Sequence, residues 1–360
     1  MATPSKILIA PLDWGLGHTT RCIPIIRHLI AQSKEVYVAA EGASARLLLE
    51  NFPAINLLPL DGYRIRYSKK KELFTVKILL QIPKILATIK KEHQWLLQQQ
   101  QIHQFDLIIS DNRYGLYHSK IPCVILTHQL QILSGKGNLA DHILRRLHYQ
   151  LLNRFNKCWV VDEERNGGFS GKLAHPKTLP VNAVYIGLLS QFAGCLPDNN
   201  KGNSKQVLVL LSGPEPMRGQ LELLVLQQAK TLTAYQFTVV GGNPLGNMIQ
   251  DLPQHITYHT HLNAQRLLPE LQGASLVICR SGYSTIMDLA VLGKKALLIP
   301  TPGQTEQEYL AAYLKEKKYF DTCTQEALQL ATQIPIALSS EMQPATVLDN
   351  KIKTLLEAIL

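Results

Sequence analysis

The sequence predicts an α/β protein built from two Rossmann-like domains in series, with parallel sheets facing a central cleft. Its 360 residues exceed the roughly 250 to 300 residues at which a single hydrophobic core usually stops growing. Short runs of Val, Ile and Leu alternate with longer amphipathic stretches, as in βα units around sheets that are buried on both faces. This alternation stops in a polar segment near residue 200 and then starts again. Each half is therefore expected to form its own sheet.

Seven strands are predicted in the first half, with helices between most of them. Each is a short apolar run bounded by turn or polar residues. They cover residues 6–10, 35–39, 56–60, 107–110, 123–126, 158–161 and 184–186. We assign residues 1–195 to the first domain.

A linker is predicted at 196–205, because the segment from Cys195 to Lys205 is polar, rich in turn residues and without periodicity. The second domain is assigned to residues 206–345, and residues 346–360 are predicted to form a helix that packs back on the first domain. The strands of the second domain are predicted at 206–211, 236–240, 256–258, 276–279 and 296–299.

Composition indicates a cytoplasmic globular protein. The hydrophobic fraction is 46% and the charged fraction 18%, which excludes disordered and fibrous classes. The six cysteines contain no Cys-x-x-Cys pair and are interpreted as reduced core thiols. No export signal is recognised at the N-terminus. The most apolar stretch, 74–89, is interrupted by Lys77, Pro83 and Lys84, so no membrane-spanning helix is expected.

The net charge of +10 comes from the first half of the chain. Residues 1–200 hold 24 Lys/Arg against 14 Asp/Glu, whereas the remainder holds 13 of each. Residues 63–91 carry nine basic side chains and one acid. This segment is interpreted as a solvated helix face, as a surface for an anionic membrane, or as a contact for an anionic acceptor. Nucleic acid is not expected as a partner, since aromatic residues are not interleaved with the charges.

The loop after the first strand is the first candidate site. Glycines Gly15 and Gly17 let the backbone approach a ligand, and Thr19 or Thr20 is expected to cap the following helix. His18 stands at this strand-helix turn, where an imidazole can take a proton from an attacking hydroxyl near neutral pH. The alternative is a histidine that only packs or caps.

Polar residues also follow later strands of the first half. Asp111 is expected to orient His18 or to accept from a sugar hydroxyl, with a helix N-cap as the alternative. Arg113 and His128 lie at strand ends of the same half, and we place them on the acceptor side with Gly15, Gly17 and Thr19.

Loops of the second half supply backbone donors and polar side chains. Ser212 and Gly213 follow its first strand, with a plain turn as the alternative. In the segment 277–290 a strand is followed by a small-residue turn and a helix start, which suits a diphosphate. Asp288 lies about one turn into that helix, within reach of a ribose diol, with a favourable interaction with the helix dipole as the alternative. A cluster at the start of the next helix is expected to read sugar hydroxyls, with ordinary helix-start polarity as the alternative. That cluster contains Gln304, Gln307 and Glu308.

These motifs resemble a known family of enzymes. The pattern Cys279-Arg-Ser-Gly282-x-x-Thr285-x-x-Asp288, with Ala290-x-x-Gly293, Pro300 and Gln307-x-x-x-Ala311, is similar to the donor-binding signature of the peptidoglycan lipid-linked N-acetylglucosaminyltransferase and its relatives. Gly15-x-Gly-His18 is similar to that family's N-terminal glycine-rich loop. The resemblance implies the GT-B fold, two facing Rossmann-like domains that bind a nucleotide-sugar.

The resemblance also implies roles for residues of the second half. Asp288 stands where the family has a glutamate that holds the ribose, and Gln307 where it has a glutamine that contacts the donor sugar. Glu308 stands where the family often has a second glutamine. Leu262 to Ala264 would read the uracil. The diphosphate would be surrounded by Arg280, Ser281, Gly282, Tyr283, Ser284 and Thr285.

The function expected from these features is an inverting glycosyltransferase. It would move a hexosyl or N-acetylhexosaminyl group from a UDP-sugar to the hydroxyl of an acceptor glycan or lipid-linked sugar. The chain has no Asp-x-Asp motif, so no metal and no cofactor is expected, and a helix N-terminus replaces the metal. The alternatives are a UDP-sugar epimerase or hydrolase and a non-catalytic nucleotide-sugar-binding subunit. The expected location is cytoplasmic, peripheral on the inner face of the membrane.

Overall fold

The computed structural model describes residues 5–13, 15–64, 81–132, 137–195, 205–243, 246–341 and 351–359. These residues fall into two compact units. Unit 1 contains the described residues up to Gln191 together with 351–359, and unit 2 contains the described residues from Phe192 onward to 341. Each unit has its own parallel sheet, which confirms the predicted fold class of two Rossmann-like domains.

Unit 1 is built around a seven-stranded sheet with the order β3-β2-β1-β4-β5-β6-β7. The chain leaves β1 toward one edge and returns at β4 on its other side, so the strand order reverses between these neighbours. The strands are β1 (Lys6–Ala10), β2 (Glu35–Ala39), β3 (Asn56–Leu58), β4 (Leu107–Asp111), β5 (Cys123–Thr127), β6 (Lys157–Val160) and β7 (Ala183–Tyr185).

Helices connect most of these strands. The central strands carry nearly continuous apolar sequence because both faces of the sheet are covered, and Leu8, Ile108 and Ile125 are fully buried in one core cluster. A short 3-10 turn occupies Gly171–Leu173. The helices up to this point of the chain are α1 (Leu16–Ala31), α2 (Gly42–Asn51), α3 (Ile82–His103) and α4 (Asn138–Leu152).

Unit 2 repeats the arrangement with a six-stranded sheet in the order β10-β9-β8-β11-β12-β13. Its strand order reverses between β8 and β11. Val207, Phe237 and Ile278 belong to its core cluster. The strands are β8 (Gln206–Leu210), β9 (Gln236–Val240), β10 (Ile256–His259), β11 (Leu276–Cys279), β12 (Ala296–Leu298) and β13 (Asp321–Thr322). The helices are α5 (Met217–Ala229), α6 (Ala264–Gly273), α7 (Tyr283–Val291), α8 (Thr305–Glu316) and α9 (Leu330–Ser339).

The final helix, α10 (Ile352–Ile359), belongs to unit 1. Its apolar side is buried through Ile352 and Leu356. The Lys351 N–H donates to Ile186 O at 3.0 Å, and the Lys351 ammonium lies 3.2 Å from a Glu164 carboxylate oxygen. Backbone, charge and apolar contacts therefore all attach this helix to unit 1.

The strand boundaries differ from the sequence predictions at a few places. β3 ends at Leu58, two residues before the predicted end. β13 was not predicted, because its two residues form no apolar run. Apart from Lys205, the predicted linker at 196–205 lies outside the described residues. Within the described part of the chain, none of the helices has the length and apolar character needed to cross a bilayer.

Candidate active site

The polar residues predicted in the first half meet at the carboxyl edge of the unit 1 sheet. β1 and β4 are paired in register, with Ala10 beside Ser110. The loop after β1 leads into α1, and β4 ends at Asp111. Because the strand order reverses between these strands, the loops that follow them diverge and leave room for a ligand. This edge is therefore where an open parallel sheet is expected to bind its substrate.

His18 and Asp111 are brought into contact at this edge. His18 is the third residue of α1, and Gly15 caps that helix with a φ of 92°, a left-handed value that favours glycine. The His18 Nδ1 atom lies 3.2 Å from Asp111 Oδ1 and 3.1 Å from Asp111 Oδ2. With Nδ1–H donating to the carboxylate, Nε2 carries the lone pair. A buried carboxylate thus orients a histidine whose side chain is 16% exposed.

Arg21, which the sequence analysis did not select, joins this pair. It lies three residues after His18 on α1, so both side chains share one face of the helix. Its Nε donates to Asp111 Oδ2 at 2.7 Å, and its Nη2 donates to Asp111 Oδ1. Nη2 also lies 2.9 Å from His18 Nδ1, and Nη1 lies 3.1 Å from His128 Nδ1. The three-residue spacing was the signal that could have identified it.

The electrostatics of the cluster favour a neutral histidine and an ionised aspartate. Burial lowers the pKa of His18 below 6.5, Asp111 opposes that shift, and Arg21 adds to it. Burial alone would raise the pKa of Asp111, but Arg21 and His18 together lower it to about 2. Near neutral pH the imidazole is therefore available to accept a proton.

Asn112 and His128 surround the guanidinium of Arg21. In the amide orientation that satisfies its neighbours, Asn112 donates to Thr127 Oγ1 at 3.0 Å and accepts from Arg21 Nη2 at 3.1 Å. His128, predicted on the acceptor side, is buried and contacts Arg21 as described. These contacts fix the position of Arg21, which in turn fixes Asp111.

The expectation that Thr19 or Thr20 caps α1 is wrong. The helix already begins at Leu16, so both threonines lie inside it. The Thr19 hydroxyl donates to Ser44 Oγ at 2.8 Å, and the Thr20 hydroxyl donates to Gly17 O at 3.0 Å. The N-cap alternative for Asp111 also fails, since Asp111 ends a strand and contacts Arg21 and His18.

Arg113 lies in the interior of unit 1 and is only 1% exposed. Its guanidinium donates to Pro11 O at 2.8 Å, Asp61 O at 3.0 Å and Glu92 Oε1 at 3.0 Å. It therefore ties together the loops after β1 and β3. The acceptor-side role of Arg113 stays a prediction. Its burial could not be predicted, because an isolated Arg in sequence does not show which groups surround it.

The candidate donor loops of unit 2 follow successive strands at one edge of its sheet. Ser212 and Gly213 come after β8, and the Gly241-Gly242 pair comes after β9. Gly242 has a φ of 67°, and a Cβ there would lie 2.0 Å from Leu211 O. Only glycine lets these two loops approach so closely.

The loop after β11 contains Arg280, whose guanidinium donates to acceptors within unit 2. It is 1% exposed and donates to Ile299 O and Pro300 O at 3.3 and 3.1 Å and to Met217 O at 2.7 Å. The expectation that Arg280 lies beside the donor diphosphate stays a prediction, and these contacts occupy its guanidinium with acceptors of the protein itself. The side chain joins the loops after β8, β11 and β12, because four polar acceptors, including Gln325 Oε1 at 2.8 Å, surround it.

The helix that follows, α7, begins at Tyr283. Its N-cap is Gly282. The first turn of a helix therefore lies at this edge of the sheet, the kind of place where backbone N–H groups can bind an anion. Ser284, Thr285 and Asp288 are all half-buried along this helix. The Ser281 hydroxyl is buried and donates to Gln307 O at 2.9 Å, which links α7 to α8.

Gln307 and Glu308 organise the turn before α8. Gln307 Oε1 accepts from Thr301 N–H at 2.9 Å, and Glu308 Oε1 accepts from Gly303 N–H at 2.9 Å. Both oxygens therefore accept hydrogen bonds from the backbone of the turn 301–303. These two contacts were not predicted from the sequence. Gln304 caps α8 without a side-chain hydrogen bond.

Leu262 and Ala264 flank the start of α6. Asn263 caps this helix, with its Oδ1 accepting from Arg266 N–H at 3.1 Å. Leu262 is buried and Ala264 is half-buried. Among the described residues, His, Cys, Asp and Glu form no group of three that could hold a metal ion.

Comparison with known proteins gives the class of the chain. Residues 219–358 match the glycosyltransferase family 28 C-terminal domain. An uncharacterized glycosyltransferase of Methanosarcina acetivorans is 24% identical over 328 residues, which cover 87% of this chain and 82% of that protein. The UDP-N-acetylglucosamine--N-acetylmuramyl-(pentapeptide) pyrophosphoryl-undecaprenol N-acetylglucosamine transferase of Crocosphaera subtropica is 26% identical over 313 residues, with 84% and 80% covered.

The fold has solved counterparts of nearly equal length. The crystal structure of the glycotransferase of kitacinnamycin superposes with a TM-score of 0.65 at 14% identity and covers 99% of this chain and 94% of that one. At this identity the likeness concerns the fold alone. Together, the family domain and the relatives confirm the expected resemblance and the expected enzyme class.

Proposed function

We propose that this chain, a glycosyltransferase of the GT-B fold, transfers a hexosyl or N-acetylhexosaminyl group from a UDP-sugar to an acceptor hydroxyl with inversion. The observation that carries the proposal is the contact of His18 with Asp111 and Arg21 at the switch point of unit 1. Direct displacement at the anomeric carbon requires a general base that removes the proton of the acceptor hydroxyl.

In this reaction His18 Nε2 removes the proton of the acceptor hydroxyl. The hydroxyl oxygen forms a bond to the anomeric carbon of the donor sugar. The bond from that carbon to the diphosphate oxygen breaks, and its electron pair leaves with UDP. Asp111 keeps the imidazole in the required tautomer and stabilises the imidazolium that forms, while Arg21 holds Asp111 ionised.

Unit 2 is the proposed donor site. The loops after its strands and the start of α7 supply backbone N–H groups for the diphosphate, and the charge that develops on UDP is stabilised there. Asp288 holds the ribose, and residues 262–264 border the base. The choice of UDP is supported by the donor in the name of the Crocosphaera relative. The buried guanidinium of Arg280 holds the loops after β8, β11 and β12 together through its hydrogen bonds.

The acceptor is proposed to lie at an anionic membrane surface, on the cytoplasmic side. Much of the basic segment, 65–80, lies outside the described residues. In the described remainder, Ile82 and Leu86 of α3 are exposed beside exposed Lys84 and Lys90. Apolar and basic side chains on one exposed helix start suit the interface of an anionic bilayer.

Liposome co-sedimentation tests the membrane proposal. We expect binding to vesicles with anionic lipid, weakened by salt, and no binding to zwitterionic vesicles. Reversal of Lys69, Lys70 and Lys71 to Glu should abolish it, whereas reversal of the exposed Lys120, Lys157 and Lys177 should not. Equal co-sedimentation of the protein with anionic and zwitterionic vesicles would contradict the proposed membrane binding.

A panel of UDP-sugars and dTDP-sugars, incubated with the purified chain and candidate acceptors, tests the reaction itself. Acceptor-dependent UDP release that persists in EDTA is the expected result. Conversion of the donor to an epimer, or UDP release that no acceptor accelerates, would favour an epimerase or a hydrolase. If chelation abolishes turnover and Mg²⁺ restores it, the proposed charge stabilisation by unit 2 is wrong.

A further inference from the structure

A cavity of about 250 Å³ lies beside the proposed base in unit 1. It is lined by Asp13 and Leu16 near the start of α1 and by Glu41, Ala43 and Ser44 at the start of α2. His18 follows Leu16 by two residues in the same first turn. A ligand in the cavity would therefore contact the first turn of α1, which also carries the residue proposed to take the acceptor proton.

Two carboxylates of the cavity lining are held in place by the loop after β3. Glu41 accepts from Gly62 N–H at 2.7 Å and from Arg64 Nη2 at 3.1 Å. Asp13 accepts from Tyr63 N–H at 3.0 Å and more weakly from Arg64 N–H at 3.4 Å. The two oxygens of a carboxylate offer about four acceptor positions, so both side chains retain capacity for a ligand.

Glu41 is ionised near neutral pH. Burial would raise the pKa of its carboxyl, but the hydrogen bonds from Arg64 and Gly62 outweigh that effect and lower it. Glu41 is also the N-cap residue of α2, yet its side chain does not cap the helix. The first-turn N–H groups of α2 have no acceptor within the helix.

Ser44 adds a hydroxyl with unused hydrogen-bonding capacity. Its side chain is buried, with 7% exposed, and its Oγ accepts from Thr19 Oγ1. Among the described residues no acceptor is present for the remaining hydroxyl hydrogen of this pair. The cavity thus presents carboxylate acceptors, helix N–H donors and a buried hydroxyl around one space.

We propose that this cavity holds an uncharged, polyhydroxylated part of the acceptor, the sugar ring next to the attacking hydroxyl, and excludes a phosphate group. The inference rests on the proposed transferase function. A sugar hydroxyl can donate to Asp13 or Glu41 and accept from a helix N–H at the same time. A phosphate is attracted by helix starts but only accepts hydrogen bonds when ionised, and the two carboxylates repel it.

Ligand binding measured by NMR tests the proposed neutral occupant without requiring catalytic activity. The probes are neutral methyl glycosides and the corresponding sugar 6-phosphates, together with inorganic pyrophosphate. We expect the preferred neutral glycoside to bind at least tenfold more tightly than its phosphate. Tighter binding of the phosphate or of pyrophosphate, or no binding of any neutral glycoside, would overturn the inference.

Two variants assign the binding to the cavity. Ala43→Leu places a large side chain at an exposed lining position and should abolish glycoside binding. Arg46→Leu, at an exposed position of the same helix that does not line the cavity, should leave binding unchanged. Equal effects of the two substitutions would place the glycoside elsewhere and overturn the inference.

Glu41→Gln and Ser44→Ala test the polar groups. Each substitution should weaken glycoside binding about tenfold. Glu41→Gln should not weaken the binding of pyrophosphate, because it removes a negative charge. Ser44→Ala leaves the contacts to the loop after β3 intact, so it remains informative if Glu41→Gln disturbs that loop. Unchanged glycoside binding in both variants would overturn the inference.

Turnover and glycoside binding, measured on the same protein samples, distinguish a failure of this inference from a failure of the transferase proposal. Turnover that requires a phosphorylated acceptor group in the cavity would refute the neutral occupant and leave the transferase intact. Glycoside binding that Ala43→Leu abolishes, without UDP release from any donor, would support the occupant and contradict the transferase.

Discussion

His18, Asp111 and Arg21 form a set in which each side chain depends on the other two. Arg21 and His18 hold Asp111 ionised in the interior, and Asp111 orients His18. The sequence could suggest His18 and Asp111 because both follow parallel strands, whose carboxyl ends share an edge. Arg21 and Arg280 show the limit of such reasoning, since a buried guanidinium and a ligand-facing one look the same in sequence.

Removal of the base should affect the chemical step. We expect His18→Ala to lower kcat by a factor on the order of 10² to 10⁴, with little change in the donor KM, because the imidazole acts in the transition state. Steady-state kinetics measure both constants. His142→Ala, at an exposed position of α4, is the control and should be without effect. An unchanged kcat for His18→Ala would leave this histidine with a packing role.

Arg21 should set the pH dependence. His18 is active when neutral, so kcat/KM is expected to fall as the pH drops through its pKa, which lies below 6.5. Arg21→Met removes a positive neighbour, so the pKa of His18 rises and the acid limb moves to higher pH. Arg21→Lys keeps the charge and should keep the limb near its original pH.

Loss of Arg21 should also destabilise unit 1. Leaving Asp111 as an incompletely compensated buried charge costs about 3–5 kcal/mol, and the melting temperature measures this loss. A pH profile that is the same in the wild type, Arg21→Met and Arg21→Lys would show that Arg21 does not tune His18.

Asp288 should contribute to donor binding rather than to chemistry. A hydrogen bond to a charged group contributes about 1.5–3 kcal/mol, so Asp288→Ala should raise the donor KM roughly 10- to 100-fold with kcat nearly unchanged. Asp288→Glu should restore most of the affinity, since the resembled family has glutamate there. A loss of kcat alone would contradict the ribose contact.

At the scale of the elements, the proposed donor site lies at loops that approach one another closely. The strands were predictable because continuous apolar runs in a parallel sheet have few alternatives. β13 could not be predicted, since it is two residues long and lacks an apolar run. The close approach of the loops after β8 and β9 was not visible either, because it depends on the backbone of Gly242 and Leu211.

Gly242→Ala tests this approach. Its Cβ would meet Leu211 O in a left-handed backbone, so we expect a higher donor KM and lower thermal stability. Gly293 has a similar φ of 63° with nothing within 4 Å of the added Cβ, so Gly293→Ala isolates the backbone cost, on the order of 1 kcal/mol. If the two variants have the same donor KM, the loop contact is irrelevant to donor binding.

At the scale of the molecule, the chain carries two parallel sheets, and the proposed function places one ligand at the carboxyl edge of each. In the proposed reaction, unit 1 supplies the base and unit 2 supplies a helix start for the diphosphate. The sequence indicated this division because the βα pattern stops and restarts. It could not indicate the acceptor, since the groups around the cavity of unit 1 come from loops that are distant in sequence.

The anomeric configuration of the product is the most direct test of the central claim. A UDP-α-sugar that passes the donor panel is incubated with its acceptor, and proton NMR records the anomeric coupling of the new linkage. Direct displacement assisted by His18 predicts a β-linked product, formed by the wild type and hardly at all by His18→Ala. An α-linked product, or a β-linked product formed equally fast by His18→Ala, would contradict the account.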